Sequence, residues 1–212
     1  VTTSRTEVLH LLIAAGVLTV DIALVRSQIS VSSVPGGLST ASFLSSLGIA
    51  AIAAVTGFVA HEMAHKVVAQ RHGFWAEFRM SPTGLFFSVA TALFGFLLAL
   101  PGATMIGGMG DVREWGRTSV AGPAVNLLEG AAFLGAAFVS VPVWDSALLW
   151  VTLMFLALVN GIFAAFNLLP VGPLDGAKVW RWNRALWIAT FGLSVVFVVG
   201  VLSVLYFAAP VF

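Results

Sequence analysis

Apolar runs of bilayer length constrain this chain more than any other feature. Residues 8–25, 119–141, 147–169 and 186–207 each form one, and a further run starts near Phe43 and continues past residue 59. About 20 predominantly apolar residues suffice for a transmembrane helix. A spanning backbone must satisfy its own polar groups, which leaves helices or a closed barrel. Runs of this length indicate helices. Only 9% of the residues are charged and 59% are hydrophobic, where a soluble domain would carry about 25% charged residues. The reading is an all-α polytopic membrane protein, with residues 1–212 as one integral membrane domain and the lipid bilayer as a partner. Arg5 followed by an apolar core would also suit a signal peptide, but the run is long and no small-x-small cleavage site follows, so it is read as a span. A net charge of +1 without a basic run gives no reason to expect nucleic acid. With no cysteine, disulfides and thiolate ligands are excluded.

The chemistry begins inside the second run, at His61-Glu62-Met63-Ala64-His65. On a helix, positions 61 and 65 are one turn apart, with roughly 6 Å of rise and about 40° of rotation, so both imidazoles can reach one metal ion. Glu62 points about 100° round from His61, beside such an ion rather than onto it. Two imidazoles and an adjacent carboxylate are what a zinc hydrolase requires. Ionisable residues at membrane depth are functional by default.

A third ligand must be His, Asp or Glu. Asp175 is the leading candidate, because it follows the helix-breaking segment Pro170-Val171-Gly172-Pro173-Leu174 at the end of a span. Glu77, Glu114 and Glu129 are the rival carboxylates. Glu114 sits in a charged loop, Glu77 in a short extended stretch after the motif, and Glu129 on the helix face of Asn126.

Three motifs in order now carry a resemblance: His61-Glu62-x-x-His65, Gly122-Pro123-x-x-Asn126, and Asn167-x-x-Pro170-x-x-x-Leu174-Asp175-Gly176. Together they resemble the site-2 protease family of intramembrane zinc metalloproteases. The match covers a catalytic core of about residues 43–179. The resemblance implies one zinc ion on His61, His65 and Asp175, with Glu62 as catalytic acid/base. It implies that Asn126 and Asn167 lie near the active centre, as groups for substrate or transition-state binding. It also implies a transmembrane protein as substrate. Unlike many bacterial relatives, the chain has no inserted PDZ domain between the motifs, and a single span follows Leu174-Asp175-Gly176.

Residues 85–106 are apolar enough to span but are interrupted by Gly95, Pro101 and Gly102. If they cross, there are six spans, and the helices bearing the two halves of the metal site run in opposite directions. If they form a re-entrant segment or a short β-hairpin after the motif helix, there are five spans and the directions agree. The positive-inside rule favours the second arrangement. It gathers Arg5, Lys66, Arg71, Arg79, Arg113, Arg117, Lys178, Arg181 and Arg184 on one face and leaves Arg26 on the other. The expectation is five spans and a re-entrant piece, with the N-terminus and the active site toward the cytoplasmic side of the cell membrane.

Two other functions fit parts of the pattern. A membrane metal transporter or sensor could use the same ligands without hydrolysis, but it gives Glu62 no role. A different metalloprotease could use a glutamate as third ligand, in which case zinc binding would survive Asp175→Ala.

Overall fold

The computed structural model describes residues 1–31, 40–108, 110–144 and 146–208. The chain begins with α1 (Arg5–Val31), which runs six residues beyond the expected end of the first span. The sequence predicts a Ser/Gly/Pro-rich loop over 27–42, most of which lies outside the described residues. The second span is continuous from Thr40 to Arg71. It consists of α2 (Thr40–Ala54), a π-helical segment (Val55–Ala60) and α3 (His61–Arg71). Then come β1 (Trp75–Met80), α4 (Pro82–Leu93), β2 (Gly102–Gly107), α5 (Val112–Trp144), α6 (Ala147–Asn167), α7 (Asp175–Trp182) and α8 (Arg184–Ala208). Among the described residues, α1, the α2–α3 span, α5, α6 and α8 are the five helices long and apolar enough to cross a membrane. The sequence predicts a tight turn over 142–145, but Pro142 falls within α5, and the Ser146 hydroxyl caps α6 by accepting from the Leu149 N–H.

Residues 85–106 do not cross. At 12 residues α4 is about 18 Å long, well short of a hydrocarbon core of roughly 30 Å. The chain then turns back, and β2 pairs antiparallel with β1, Met80 opposite Gly102 and Trp75 opposite Gly107. The segment leaves and returns to one sheet, so it is re-entrant. A helix and a loop, not a tight turn, separate the two strands. The Ser81 side chain caps α4 by accepting from the Gly84 N–H at 3.1 Å, and Pro82 takes a first-turn position that needs no N–H. A Cβ at Gly84 would lie 1.8 Å from the Leu100 carbonyl oxygen, so only glycine lets the returning chain pack directly on this helix.

Small residues set the helix contacts. Ala14, Leu18, Ile22 and Ala23 of α1 meet Ala50, Ala53 and Ala54 of α2, with Phe58, Phe78 and Leu85 beneath them. In lipid the apolar surface drives no association, and close approach through alanine is what brings helices together. A second cluster joins α5, α6 and α8 through Ala137, Trp150, Met154, Ala157 and Val201.

The start of the chain is fastened to the motif helix by polar groups. Lys66, one residue after His65, donates to Glu7 and to Thr3 Oγ1 (2.9 Å). The other Glu7 oxygen accepts the Phe78 N–H of β1 at 3.0 Å. Gln70 exchanges hydrogen bonds with the Thr2 backbone and donates to the Ala76 carbonyl. Glu7 and Lys66 are both fully buried. Removing one partner of a buried pair strands the other charge and costs about 3–5 kcal/mol, while replacing both by apolar groups is often neutral. Glu7→Ala is therefore expected to destabilise the protein by about that amount, and Glu7→Leu with Lys66→Met to recover most of it. Denaturation in detergent micelles measures both.

Candidate metal centre

His61 and His65 occupy the first and second turns of α3, and Asp175 is the first residue of α7. His61 Nε2 is 3.0 Å from His65 Nε2, and Asp175 Oδ2 is 3.3 Å from the first and 2.9 Å from the second. All three residues are buried. None of the rivals belongs to this group. Glu77 bonds Arg79 and Ser4, Glu114 bonds the Asp111 N–H, and one Glu129 oxygen is buried without a partner.

The hydrogen bonds around the imidazoles fix their tautomers. His65 Nδ1 is 2.7 Å from the Thr118 carbonyl oxygen, which can only accept, so Nδ1 carries the proton. His61 Nδ1 is 2.5 Å from Asn126 Oδ1. The Asn126 amide nitrogen donates to the Gly57 carbonyl (2.9 Å) and to Asn160 Oδ1 (3.1 Å), so its oxygen accepts from His61. Both rings thus turn Nε2 lone pairs toward the Asp175 carboxylate. As neutral imidazoles the two rings and the carboxylate present three lone pairs to one point, an arrangement that a bound cation would make compatible. Ligands about 2.0–2.1 Å from one zinc ion in tetrahedral array stand roughly 3.3 Å apart, close to the observed separations. The residues present fit a zinc ion. Lys178 Nζ lies 3.7 Å from the other Asp175 oxygen.

Local sequence explains these placements. The π-helical turns before His61 depart from the α pattern of carbonyl pairing, and the Gly57 carbonyl within them meets Asn126. Pro123 has no N–H for the Ser119 carbonyl, which loosens α5 beside the Thr118 oxygen that holds His65. Gly172, at φ +53°, lets the chain turn out of α6 toward Asp175.

Asn126 is fully buried, and its amide is spent on protein atoms. It is brought to His61 rather than to the cleft. Asn167 lines the cleft of about 120 Å³ together with His61, Glu62, His65 and Asp175, and its Nδ2 donates to the Phe163 carbonyl at 3.0 Å. Three further contacts support the site from outside the sequence motifs. Asn160 supports Asn126 and donates to Thr56 Oγ1 and the Leu156 carbonyl. Thr118 bonds His65 through its backbone. Thr104 of β2 bonds Glu62, its N–H at 2.8 Å and its hydroxyl at 2.7 Å from Oε2. Asn160 carries a usable signal, an amide at membrane depth two turns before Asn167 on the same face of α6; a backbone carbonyl carries none.

The chain is 35% identical over 152 residues to a protein of Methanocaldococcus jannaschii named "Putative zinc metalloprotease MJ0611", a match covering 70% of this chain and 76% of that one. It is also 35% identical over 138 residues to "Putative zinc metalloprotease Rip3" of Mycobacterium tuberculosis, covering 63% of this chain and 31% of that longer protein. No family model matches the chain, and no solved structure does.

Proposed function

The chain belongs to the site-2 protease-like family of zinc metalloproteases, and from that premise we propose that it hydrolyses peptide bonds within or near the transmembrane helices of other membrane proteins. The observation that carries the reading is the convergence of His61, His65 and Asp175 on one point beside Glu62, in a cleft lined by three of the five membrane-length helices. A zinc ion held there supplies Lewis acidity, lowering the pKa of a water toward 7 and polarising a carbonyl.

This chain's residues supply the rest. Asn126 and the Thr118 carbonyl keep each imidazole in the tautomer that offers Nε2, and such outer partners orient ligands and raise their basicity. Glu62 takes a proton from the attacking water and delivers it to the leaving amine. Asn167, on the cleft wall, faces the substrate. The scissile carbonyl of a helix is hydrogen-bonded, so the substrate must unwind before attack.

The unwound segment has a docking edge. Phe78 and Thr104 face each other in the sheet, yet the Phe78 N–H goes to Glu7 and the Thr104 N–H to Glu62. They therefore form a non-hydrogen-bonded pair, and the backbone groups of Gly102, Thr104 and Ile106 point away from β1. Glu7 and Gln70 cover the far edge of β1, whereas the β2 edge borders the cleft. An extended substrate can add there as a third strand. The gathering of cations at the end of the bundle that holds the metal ligands supports an active site toward the cytoplasmic side of the cell membrane.

The test is the purified chain in liposomes with zinc and a synthetic single-span peptide carrying Asn-Pro at mid-helix. Product masses should place the cut within or beside the span. A chain that holds zinc yet leaves every such peptide intact, or passes zinc across the vesicle, would overturn the reading.

A further inference from the structure

We propose that Thr104 is a positioning residue for Glu62, and that its backbone N–H is handed from Glu62 to the substrate when a strand docks on β2. The inference rests on the proteolytic reading above and adds to it what holds the acid/base group and when it is released.

Three observations meet at this residue. Glu62 Oε2 accepts both the Thr104 N–H (2.8 Å) and the Thr104 hydroxyl (2.7 Å). The hydroxyl is farther from the Glu62 carbonyl, at 3.2 Å, so its single hydrogen belongs to the carboxylate. The register with β1 aims the Thr104 N–H at the position an added strand would occupy. One N–H cannot serve Glu62 and a substrate carbonyl at full strength together. In the resting chain this carboxylate oxygen is thus tied by two donors to the strand that would receive substrate. Pairing along β2 draws off the backbone donor, and Glu62 keeps the hydroxyl as a pivot. The carboxylate then turns toward the water it must deprotonate only once a substrate lies in register. Until a strand docks, water in the cleft meets a base that is doubly held.

Hydrogen bonds to a charged group contribute more than neutral ones, and small displacements of a catalytic group cost disproportionately in rate. Thr104→Val is expected to lower kcat on the single-span peptide about tenfold, with KM within about twofold. Thr104→Ser, which keeps the hydroxyl, is expected to restore it. A loss in Thr104→Val that Thr104→Ser does not restore, or one carried by KM, would overturn the positioning role.

The hand-over is read separately by residue-resolved amide exchange on the zinc-loaded full chain. The Thr104 amide should exchange slowly in the wild type and at least about tenfold faster in Glu62→Ala, which removes its acceptor. Saturating Glu62→Ala with the uncleaved single-span peptide should slow it again, together with Gly102 and Ile106. Equal exchange in wild type and Glu62→Ala, or no protection by the peptide, would overturn the hand-over. These readings need no turnover. If the wild type cleaves nothing, the proteolytic proposal fails while the Thr104–Glu62 bond is still tested. If it cleaves and Thr104 is indifferent, only this inference fails.

Discussion

Glu62→Gln is expected to bind zinc as the wild type does and to lose cleavage by a factor of about 10²–10⁴, the usual contribution of a positioned acid–base group. The substitution is nearly isosteric, and the glutamine oxygen can still accept the Thr104 N–H and hydroxyl, so the strand and helix keep their contact. Glu62 lies outside the group of three ligand atoms. What disappears is the lone pair that takes a proton at neutral pH. Zinc per chain by elemental analysis and kcat on the single-span peptide separate the two effects. A variant that cleaves at wild-type rate removes Glu62 from the mechanism, and one that has lost its zinc shows that the carboxylate holds the metal.

Gly122→Ala is expected to weaken zinc binding by about 100-fold or more, beyond the range typical of outer-partner mutations. A Cβ there would lie 2.5 Å from His65 Nε2 and 2.6 Å from His61 Nε2, closer than real Cβ contacts approach. The methyl group would press on the two lone pairs that must share a cation, so at least one imidazole must swing away and give up its bond to Asn126 or Thr118. Gly192 of α8 provides the comparison, since a Cβ there meets nothing within 4 Å. Gly192→Ala should keep zinc affinity unchanged and stabilise its helix slightly. Competition against a chelator measures both. Equal affinities in the two variants would mean that α5 does not hold the ligands at this distance.

Much of this arrangement is legible in the sequence because it follows from periodicity and charge. The 61/65 spacing puts two imidazoles on one face of α3 whatever surrounds it. The distribution of ten cations decided between five and six spans, and the return of β2 to β1 agrees with that choice. Asp175 could be singled out because proline and glycine before it end α6 and turn the chain. Other features depend on contacts between distant elements and leave no local trace. Glu7 and Lys66 are 59 residues apart, and read alone each belongs at a membrane interface; their pairing inside the protein is a tertiary event. The resemblance puts Asn126 near the active centre, but no motif says whether a side chain there looks into a cleft or at a neighbouring ring; the structure sets it against His61. Thr104 sits in an apolar strand where a β-branched residue needs no further explanation, so its bond to Glu62 is visible only once the sheet is folded against α3.

The π-helical segment from Val55 to Ala60 has a geometric consequence for the whole second span. Such a segment amounts to one surplus residue in an α-helix, and one residue corresponds to about 100° of azimuth. The half that packs on α1 and the half that bears the imidazoles are therefore phased independently along one rod. A chain that kept strict α geometry from Thr40 onward would have to choose between seating its alanines against α1 and aiming its histidines at α5 and α7.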